Sequence, residues 1–185
     1  NGNFPAGLGN FVDQLDDDKE PLFVTAALKE DRINGNNHWR DAILKENSSL
    51  KKNQVGELVP TPPGVKRLDT RYVFKIKRDA NGNVIKYKAR YVVKGYHQRE
   101  GIDYSLTYSP TALSSSTRML IAVATYFHWS IFTIDVETAF LNGIMPEEQP
   151  IYVKPPTDPF NPLKKHEGMS YKLKKSLYGL KQAPR

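Results

Sequence analysis

The feature that most restricts the fold is a pair of alternating segments joined by a short turn. The segments RYVFKIKRD and VIKYKARYVVKGY flank the sequence ANGN. An Asn-Gly pair between alternating runs is the strongest short-range signal for a β-hairpin, because both residues tolerate positive φ. This pattern predicts a hairpin over residues 72–94. Side chains alternate along a strand, so Lys86, Lys88 and Arg90 are expected on one basic face.

The charge balance favours an anionic partner. The chain of 185 residues carries 27 Lys and Arg against 20 Asp and Glu, a net charge of +7. Such an excess favours nucleic acid first and an acidic membrane surface second. No apolar run approaches the roughly 20 residues of a membrane-spanning helix, so the chain is expected not to enter a membrane. The sequence has no cysteine, which excludes disulfides, thiol nucleophiles and cysteine-ligated metals, and which fits an intracellular protein.

Helical segments are expected before the hairpin. Residues 1–36 are rich in Gly, Asn and Asp and are interpreted as a flexible leader with a short helix in PLFVTAALKE. The segment HWRDAILKENSSLKKN has the periodicity of an amphipathic helix. The residues on its shared face are Trp39, Ala42, Ile43, Glu46 and Leu50. The next segment, ELVPTPPGVK, is interpreted as a proline-punctuated connector.

After the hairpin, the pattern indicates a helix followed by two strands. LSSSTRMLIAVATYFHW predicts a helix that is capped by a serine among residues 114–116. The residues expected on its buried face are Met119, Leu120, Ala122, Val123 and Tyr126. SIFTID is expected to form a strand ending at Asp135, PIYVKPP a short strand, and YKLKKSLYGLKQAPR a turn or the start of a helix. These elements together indicate an α+β fold.

Asp135 stands at the end of an apolar segment, and two interpretations of it remain open. It can cap the helical turn VETAFL by accepting a backbone N–H, which the spacing alone favours. It can instead be a metal ligand at the end of a strand. The histidines of the chain are scattered, and none pairs with another at a metal-ligand spacing, so each is interpreted as a surface or packing residue.

Several separate motifs carry a family resemblance. The segments VFKIKRDANGNVIKYKARYVVKGYHQREGIDYSLTYSP, IDVETAFLNG, IYVKPP and KLKKSLYGLKQAPR follow one another in this order. Together they closely resemble the reverse transcriptase domain of copia-type retrotransposon polyproteins, from about Trp39 to Arg185. The resemblance implies a partial right-hand polymerase, with a fingers hairpin and an incomplete palm sheet with packed helices. The implied regions are fingers over 37–109, the start of the palm over 110–145, and a second fingers segment over 146–185.

By this likeness, IDVETAF is the first palm motif and Asp135 is a catalytic carboxylate. Asp135 and the Val136 carbonyl would bind the two Mg²⁺ ions of the complete enzyme, because magnesium takes hard oxygen ligands. Two such ions stabilise the attacking and leaving oxygens when a primer 3′-hydroxyl attacks a deoxynucleoside triphosphate. Phe140 matches the steric gate that leaves no room for a ribose 2′-hydroxyl. Without the motif, this residue would be interpreted as a core aromatic side chain.

The resemblance also implies nucleotide-binding residues on the basic hairpin and in SLYGLKQAPR. Lys88 and Arg90 are candidates for the triphosphate, since Lys offers a point charge and Arg a bidentate fork, and the choice between them stays open. Arg78 is a further candidate on the facing strand. The candidates in the second motif are Tyr178, Gly179 and Lys181. The glycine among them would allow close backbone approach. Without the likeness, the basic residues would form an ordinary solvated strand face.

One departure from the family pattern limits the expected activity. The family's Tyr-x-Asp-Asp motif, which supplies the other palm carboxylates, is missing from this sequence, whose only adjacent aspartates are residues 16–18. We therefore expect a fragment of an RNA-directed DNA polymerase that is inactive alone. Its implied partners are an RNA or DNA template-primer, dNTP, and the rest of the polyprotein with the remaining palm, thumb and ribonuclease H. The implied location is a cytoplasmic virus-like particle or the nucleus. The alternative is a non-catalytic, transposon-derived protein that binds nucleic acid, or a relic.

Overall fold

The computed structural model describes residues 20–101, 104, 107, 112–134, 136, 138–162 and 166–183. Its helices are α1 (Val24–Ile33), α2 (His38–Lys52) and α3 (Ser114–Tyr126). Its strands are β1 (Gly56–Pro60), β2 (Thr70–Arg78), β3 (Val84–Val93), β4 (Tyr152–Val153) and β5 (Met169–Leu173). Short 3₁₀ turns lie at Gly95–His97 and Ala139–Asn142. This part of the chain is a mixed α+β structure, as the sequence predicts.

A buried carboxylate joins the first two helices. Asp31 of α1 is 1% exposed, and its two oxygens accept the backbone N–H groups of Trp39 (3.1 Å) and Arg40 (2.8 Å). These donors belong to the first turn of α2, where they have no partner within the helix, so α1 supplies the cap. The short helix predicted in PLFVTAALKE is therefore confirmed as α1, and its hydrogen bonds to α2 make it part of the folded unit and not of a flexible leader. Residues 1–19 lie outside the described part of the chain.

The predicted apolar face of α2 is confirmed. Its buried residues are Trp39, Ala42, Ile43 and Leu50. The Trp39 ring packs edge-on against Phe74 of β2 and Tyr87 of β3, with ring centroids 5.2 and 4.7 Å apart. This contact fixes α2 against the hairpin. Both elements contribute to one cluster of buried side chains that also includes residues of α1, β4 and β5.

The hairpin predicted over residues 72–94 is confirmed, since β2 and β3 pair in antiparallel fashion along their length. Its turn is built differently from the prediction. Gly82 has a φ of +86°, whereas Asn81 does not adopt positive φ. The Asp79 carboxylate accepts the N–H groups of Asn81 (2.9 Å) and Asn83 (2.8 Å). The Asp79 carboxylate therefore stabilises the turn by accepting these hydrogen bonds, and Asn81 does not adopt the positive φ that the Asn-Gly pattern predicted.

A second sheet has the order β1-β5-β4, with antiparallel neighbours. β4 lies where the sequence predicts a short strand. β1 overlaps the start of the predicted connector, and it forms because its residues pair with β5, with Leu58 opposite Tyr171. The Leu68 N–H donates to the Tyr152 carbonyl at 2.8 Å, just before β2 begins. The chain thus passes from one sheet directly into the other.

The turn after β5 crosses the end of the hairpin at very short range. The Val93 N–H donates to the Tyr178 carbonyl at 2.8 Å. Gly179 has a φ of +88°, and a Cβ at this position would overlap the Val93 backbone. A Cβ on Gly95 would in turn overlap the Gly179 carbonyl. The buried Gln98 side chain accepts a backbone N–H from the same turn at 2.8 Å. These contacts tie the second motif to the hairpin through backbone atoms.

The predictions for the region around α3 are wrong in several respects. α3 follows Leu113 without a side-chain cap, so the predicted serine cap is absent. Met119 and Tyr126, which were expected in a buried face, are 70% and 79% exposed. Leu120 and Ala122 are also exposed, and Val123 is only partly buried. Residues 130–134 form no strand.

These apolar side chains find no covering partner among the described residues, which explains the errors. A helix or strand pattern identifies an apolar face, but the face is buried only where another element packs on it. Phe132 and Ile134 are accordingly 86% and 91% exposed. Asp135 lies outside the described residues, as do 108–111 before α3. None of the helices in the described part combines the length and apolar composition needed to cross a bilayer.

Candidate functional site

A cleft of about 550 Å³ lies between α2, β3 and two loops. The residues that line it from α2 are Ala42, Lys45, Glu46 and Ser49. β3 contributes residues 86–90. The loop residues at the cleft are Val136, Thr138, Ala139, Phe140 and Tyr178. Segments that are far apart in the sequence therefore meet at one surface.

A row of one cation and two aromatic rings runs along this cleft. The Arg90 guanidinium carbon lies 5.3 Å from the centre of the Tyr178 ring. The Phe140 and Tyr178 ring centroids are also 5.3 Å apart, and the rings meet edge to face. Contacts of these kinds each contribute about 0.5–1 kcal/mol at partly exposed sites. The row suits a ligand that combines an anionic end with a flat or apolar part.

A strained turn places Phe140 at the cleft. Thr138 has a φ of +52°, a left-handed conformation that is uncommon for a β-branched residue and costs about 1–3 kcal/mol. The Leu141 N–H donates to the Thr138 carbonyl at 2.8 Å, and the Leu141 side chain is fully buried. The turn is thus anchored in the core at Leu141, while the neighbouring Phe140 lines the cleft.

The electrostatics of the cleft favour an anion. Burial lowers the pKa of Lys88, and the positive charges of Arg90, Lys77 and Lys86 lower it further. Burial also raises the pKa of Tyr178, which the Arg90 charge partly opposes. An anion that binds among positive groups offsets the repulsion between them. The clustered cations of β3 therefore make the cleft a candidate anion site.

The structure brings together some of the predicted site residues and separates others. Those that line the cleft are Lys88, Arg90, Val136, Phe140 and Tyr178. Arg78 lies at the tip of the hairpin, where its guanidinium donates to the Gly82 carbonyl at 3.1 Å. Lys181 donates through Nζ to the Tyr104 hydroxyl at 3.2 Å. The close approach predicted at Gly179 is made to Val93, within the chain. Asp135 lies outside the described residues.

Sequence reasoning missed Glu46 as a site residue. Its Oε1 accepts the backbone N–H of Tyr91 at 3.1 Å. Burial raises the pKa of Glu46, while this hydrogen bond and the charges of Arg90 and Lys88 oppose the rise. The signal was present in the sequence, because Glu46 is the one charged residue on the predicted apolar face of α2. It was interpreted there as part of a packing face and not as part of a site.

The described residues do not by themselves form the predicted magnesium site. They contain no group of three or more His, Asp or Glu side chains suited to a metal ion. Of the two predicted ligands, only Val136 is described, and it lines the cleft. Glu46 is the only carboxylate on the described cleft surface, and one of its oxygens is already bound to the Tyr91 N–H.

Comparison with known proteins gives relatives over most of the chain. The chain is 40% identical over 171 residues to the retrovirus-related Pol polyprotein from transposon TNT 1-94 of Nicotiana tabacum, which is 92% of this chain and 12% of the relative. It is 38% identical over 169 residues to the corresponding polyprotein from transposon RE1 of Arabidopsis thaliana, which is 91% of this chain and 11% of that protein. The chain therefore spans only a small part of the length of these polyproteins.

A shorter relative and a family match complete the comparison. An uncharacterised mitochondrial protein of Arabidopsis thaliana is 38% identical over 106 residues, which is 57% of this chain and 59% of that protein. No solved structure matches the chain significantly. Residues 53–185 match the protein family described as reverse transcriptase (RNA-dependent DNA polymerase). Since this match covers well over half of the chain, the chain belongs to the reverse transcriptase (RNA-dependent DNA polymerase) family.

Proposed function

We propose that this chain forms the nucleotide-binding part of an RNA-directed DNA polymerase, and that the cleft between α2 and β3 binds the incoming deoxynucleoside triphosphate. The observation that carries the proposal is the meeting of Lys88, Arg90, Phe140 and Tyr178 at one cleft. These residues come from three distant segments, and the family resemblance had assigned all of them to the nucleotide. An anion site beside aromatic rings is the chemistry that a nucleoside triphosphate requires.

Each of these side chains has a proposed role. Arg90 and Lys88 bind the triphosphate, Arg through a bidentate fork and Lys as a point charge. Tyr178 holds the Arg90 guanidinium from one side, at 5.3 Å. Phe140 presents its ring to the sugar and excludes a ribose 2′-hydroxyl. Gly179 and Lys181 lie outside the cleft lining, and only the resemblance assigns them to nucleotide binding.

Asp135 is the proposed catalytic carboxylate and, with the Val136 carbonyl, the proposed contribution of this chain to two magnesium ions. It directly precedes Val136, which lines the cleft. Bound magnesium would supply positive charge to the phosphoryl group in transfer from dNTP to a primer 3′-hydroxyl. The template-primer and the remaining parts of the polyprotein are the proposed partners.

A pair of matched arginine substitutions tests the nucleotide site. Arg90→Ala is expected to weaken binding of a deoxynucleoside triphosphate by about 10- to 100-fold, because it removes charge-assisted hydrogen bonds to the phosphates. Arg78→Ala makes the same change on the same hairpin, away from the cleft, and is expected to change the affinity less than twofold. Isothermal titration calorimetry at low salt measures both. Lys88→Ala is expected to act like Arg90→Ala. Equal effects of Arg90→Ala and Arg78→Ala would contradict the proposal.

A primer-extension assay tests the expectation that the 185-residue chain is inactive alone. One proposed carboxylate, Asp135, cannot by itself hold two magnesium ions against water. We expect no template-directed incorporation of dNTP above the level of an Asp135→Asn control. Robust magnesium-dependent extension by the unmodified chain, lost in the control, would show that the missing Tyr-x-Asp-Asp motif is dispensable.

A second candidate function is non-catalytic binding of nucleic acid. The observation in its favour is the Arabidopsis mitochondrial relative, 59% of whose length is matched by this chain, so a related segment occurs in a protein far shorter than the polyproteins. Electrostatic binding of this kind weakens steeply with salt and is indifferent to sequence. Salt-dependent binding of a primer-template without any saturable dNTP binding would favour this alternative.

A further inference from the structure

Glu46 is a carboxylate inside a cleft that otherwise favours anions, and the proposed function gives it no role. It projects from α2 onto the same surface as Lys88 and Arg90. It is partly buried, and it is the only acidic residue among the described residues that line the cleft. A negative charge at this position opposes the binding of a triphosphate, so its presence calls for a physical explanation.

The backbone of the hairpin fixes where this carboxylate sits. β3 pairs with β2 on one side only, so alternate N–H groups of β3 face away from the sheet. Two of these groups have partners from other elements: the Tyr91 N–H donates to Glu46 and the Val93 N–H donates to the Tyr178 carbonyl. Glu46 therefore closes an open strand edge, and this hydrogen bond holds its carboxylate beside the neighbouring residue, Arg90.

The groups around Glu46 are predominantly basic. The charged groups that share its cleft are Lys45 on α2 and Lys86, Lys88 and Arg90 on β3, and the titratable Tyr178 hydroxyl comes from the turn after β5. The charges of Arg90 and Lys88 act on the Glu46 carboxylate, and the Glu46 charge acts on Lys88 and Tyr178. Among the described residues that line the cleft, Glu46 is thus the one carboxylate whose charge interacts with the two cations assigned to the triphosphate.

We propose that Glu46 is an internal counter-anion that competes with the triphosphate for Lys88 and Arg90, so that ionised Glu46 weakens nucleotide binding and neutral Glu46 does not. This inference rests on the proposed nucleotide site. Glutamine at position 46 retains an oxygen that accepts the Tyr91 N–H, and it removes the competing charge. The substitution therefore separates the electrostatic role of Glu46 from its role at the strand edge.

The experiment compares Glu46→Gln with the unmodified chain and with Glu57→Gln. Glu57 lies on β1, outside the cleft, where it pairs with Lys174 at 2.5 Å, so its substitution changes the net charge equally. Binding of inorganic tripolyphosphate is measured by calorimetry at pH 8 and pH 5, with melting curves as a check of the fold. At pH 8, Glu46→Gln is expected to bind about fivefold more tightly than the unmodified chain, and Glu57→Gln to differ less than twofold.

The difference in tripolyphosphate affinity between Glu46→Gln and the unmodified chain is expected to be smaller at pH 5 than at pH 8. Burial raises the pKa of Glu46, so the carboxyl group takes up its proton at a higher pH than an exposed glutamate does. The ligand's own proton equilibria cancel, because both proteins are titrated with the same ligand at each pH. Binding by Glu46→Gln that is no tighter than binding by the unmodified chain at pH 8 would overturn the inference. A difference in affinity that does not shrink at pH 5, or loss of the fold in Glu46→Gln, would also overturn it. Failure of the unmodified chain to bind any triphosphate would instead overturn the proposed function.

Discussion

Replacing Gly179 by alanine is expected to lower the free energy of unfolding by about 3 kcal/mol or more. Two independent costs add at this position. Its φ of +88° is a conformation that residues with a Cβ adopt only with strain, and the added carbon would overlap the Val93 backbone. Backbone atoms cannot move aside as the end of a flexible side chain can. The turn that carries Tyr178 would have to shift away from the hairpin.

Gly82→Ala is the matched control for this substitution. Gly82 has a φ of +86°, nearly the same as Gly179, but no atom lies within 4 Å of the place that its Cβ would occupy. Gly82→Ala is expected to lower the free energy of unfolding by about 1–2 kcal/mol, because only the conformational strain applies at this position. Urea denaturation followed by circular dichroism measures both variants. If Gly179→Ala were no more destabilising than Gly82→Ala, the close crossing of the turn and the hairpin would be wrong.

Trp39→Ala is expected to destabilise the chain by about 3–5 kcal/mol, the usual range for removing a large buried aromatic side chain. Trp39 is 1% exposed and packs against Phe74 and Tyr87 of the hairpin. Its loss leaves a cavity between α2 and the hairpin. Because these two elements form the walls of the cleft, the affinity for a deoxynucleoside triphosphate is expected to fall together with the stability.

Trp39→Phe provides the comparison for that prediction. A phenyl ring retains much of the packing but loses the hydrogen bond from the indole Nε1 to Glu30, which measures 3.0 Å. We expect a loss of about 1–2 kcal/mol, from one hydrogen bond and a smaller void. Thermal and urea denaturation distinguish the two variants. A cost below 1 kcal/mol for Trp39→Ala would mean that α2 does not pack on the hairpin as described.

The parts of the fold that depend on neighbouring residues were predictable. The hairpin and α2 each have a periodicity that is complete within one short segment, and both were located correctly. β1 was missed because its pairing partner, β5, lies more than a hundred residues further along the chain. The burial predicted for Met119 was wrong for a related reason. A side chain such as this becomes buried only if another element covers it, and the local pattern does not name that element.

The residues of the candidate site were chosen from the family resemblance and not from physics alone. Lys88, Arg90, Phe140 and Tyr178 belong to motifs that the resemblance assigned to the nucleotide, and they share a cleft. The resemblance also gave Arg78, on the facing strand, as a further candidate. The bulge between Lys77 and Arg78 and the hydrogen bond to Gly82 place it instead at the hairpin tip, and neither follows from strand alternation.

Contacts between distant segments were invisible in the sequence. Gln98 gave no signal, because its partners, the Lys181 N–H and the Gln182 side chain, lie more than eighty residues away. Glu46 lies on the predicted apolar face of α2, and this position indicated a packing role. Asp135, on which the catalytic proposal depends, stays a prediction from the motif IDVETAF.

Because Asp31 of α1 caps α2, the part of the chain that folds together and forms the cleft begins before α2. The family match starts at residue 53, yet α2 ends just before it, at Lys52. A protein trimmed to the matched residues would lack Glu46 and with it one side of the cleft, and the outer N–H of Tyr91 would lose its acceptor. Expression of this polymerase segment should therefore start upstream of α1, so that both helices are retained.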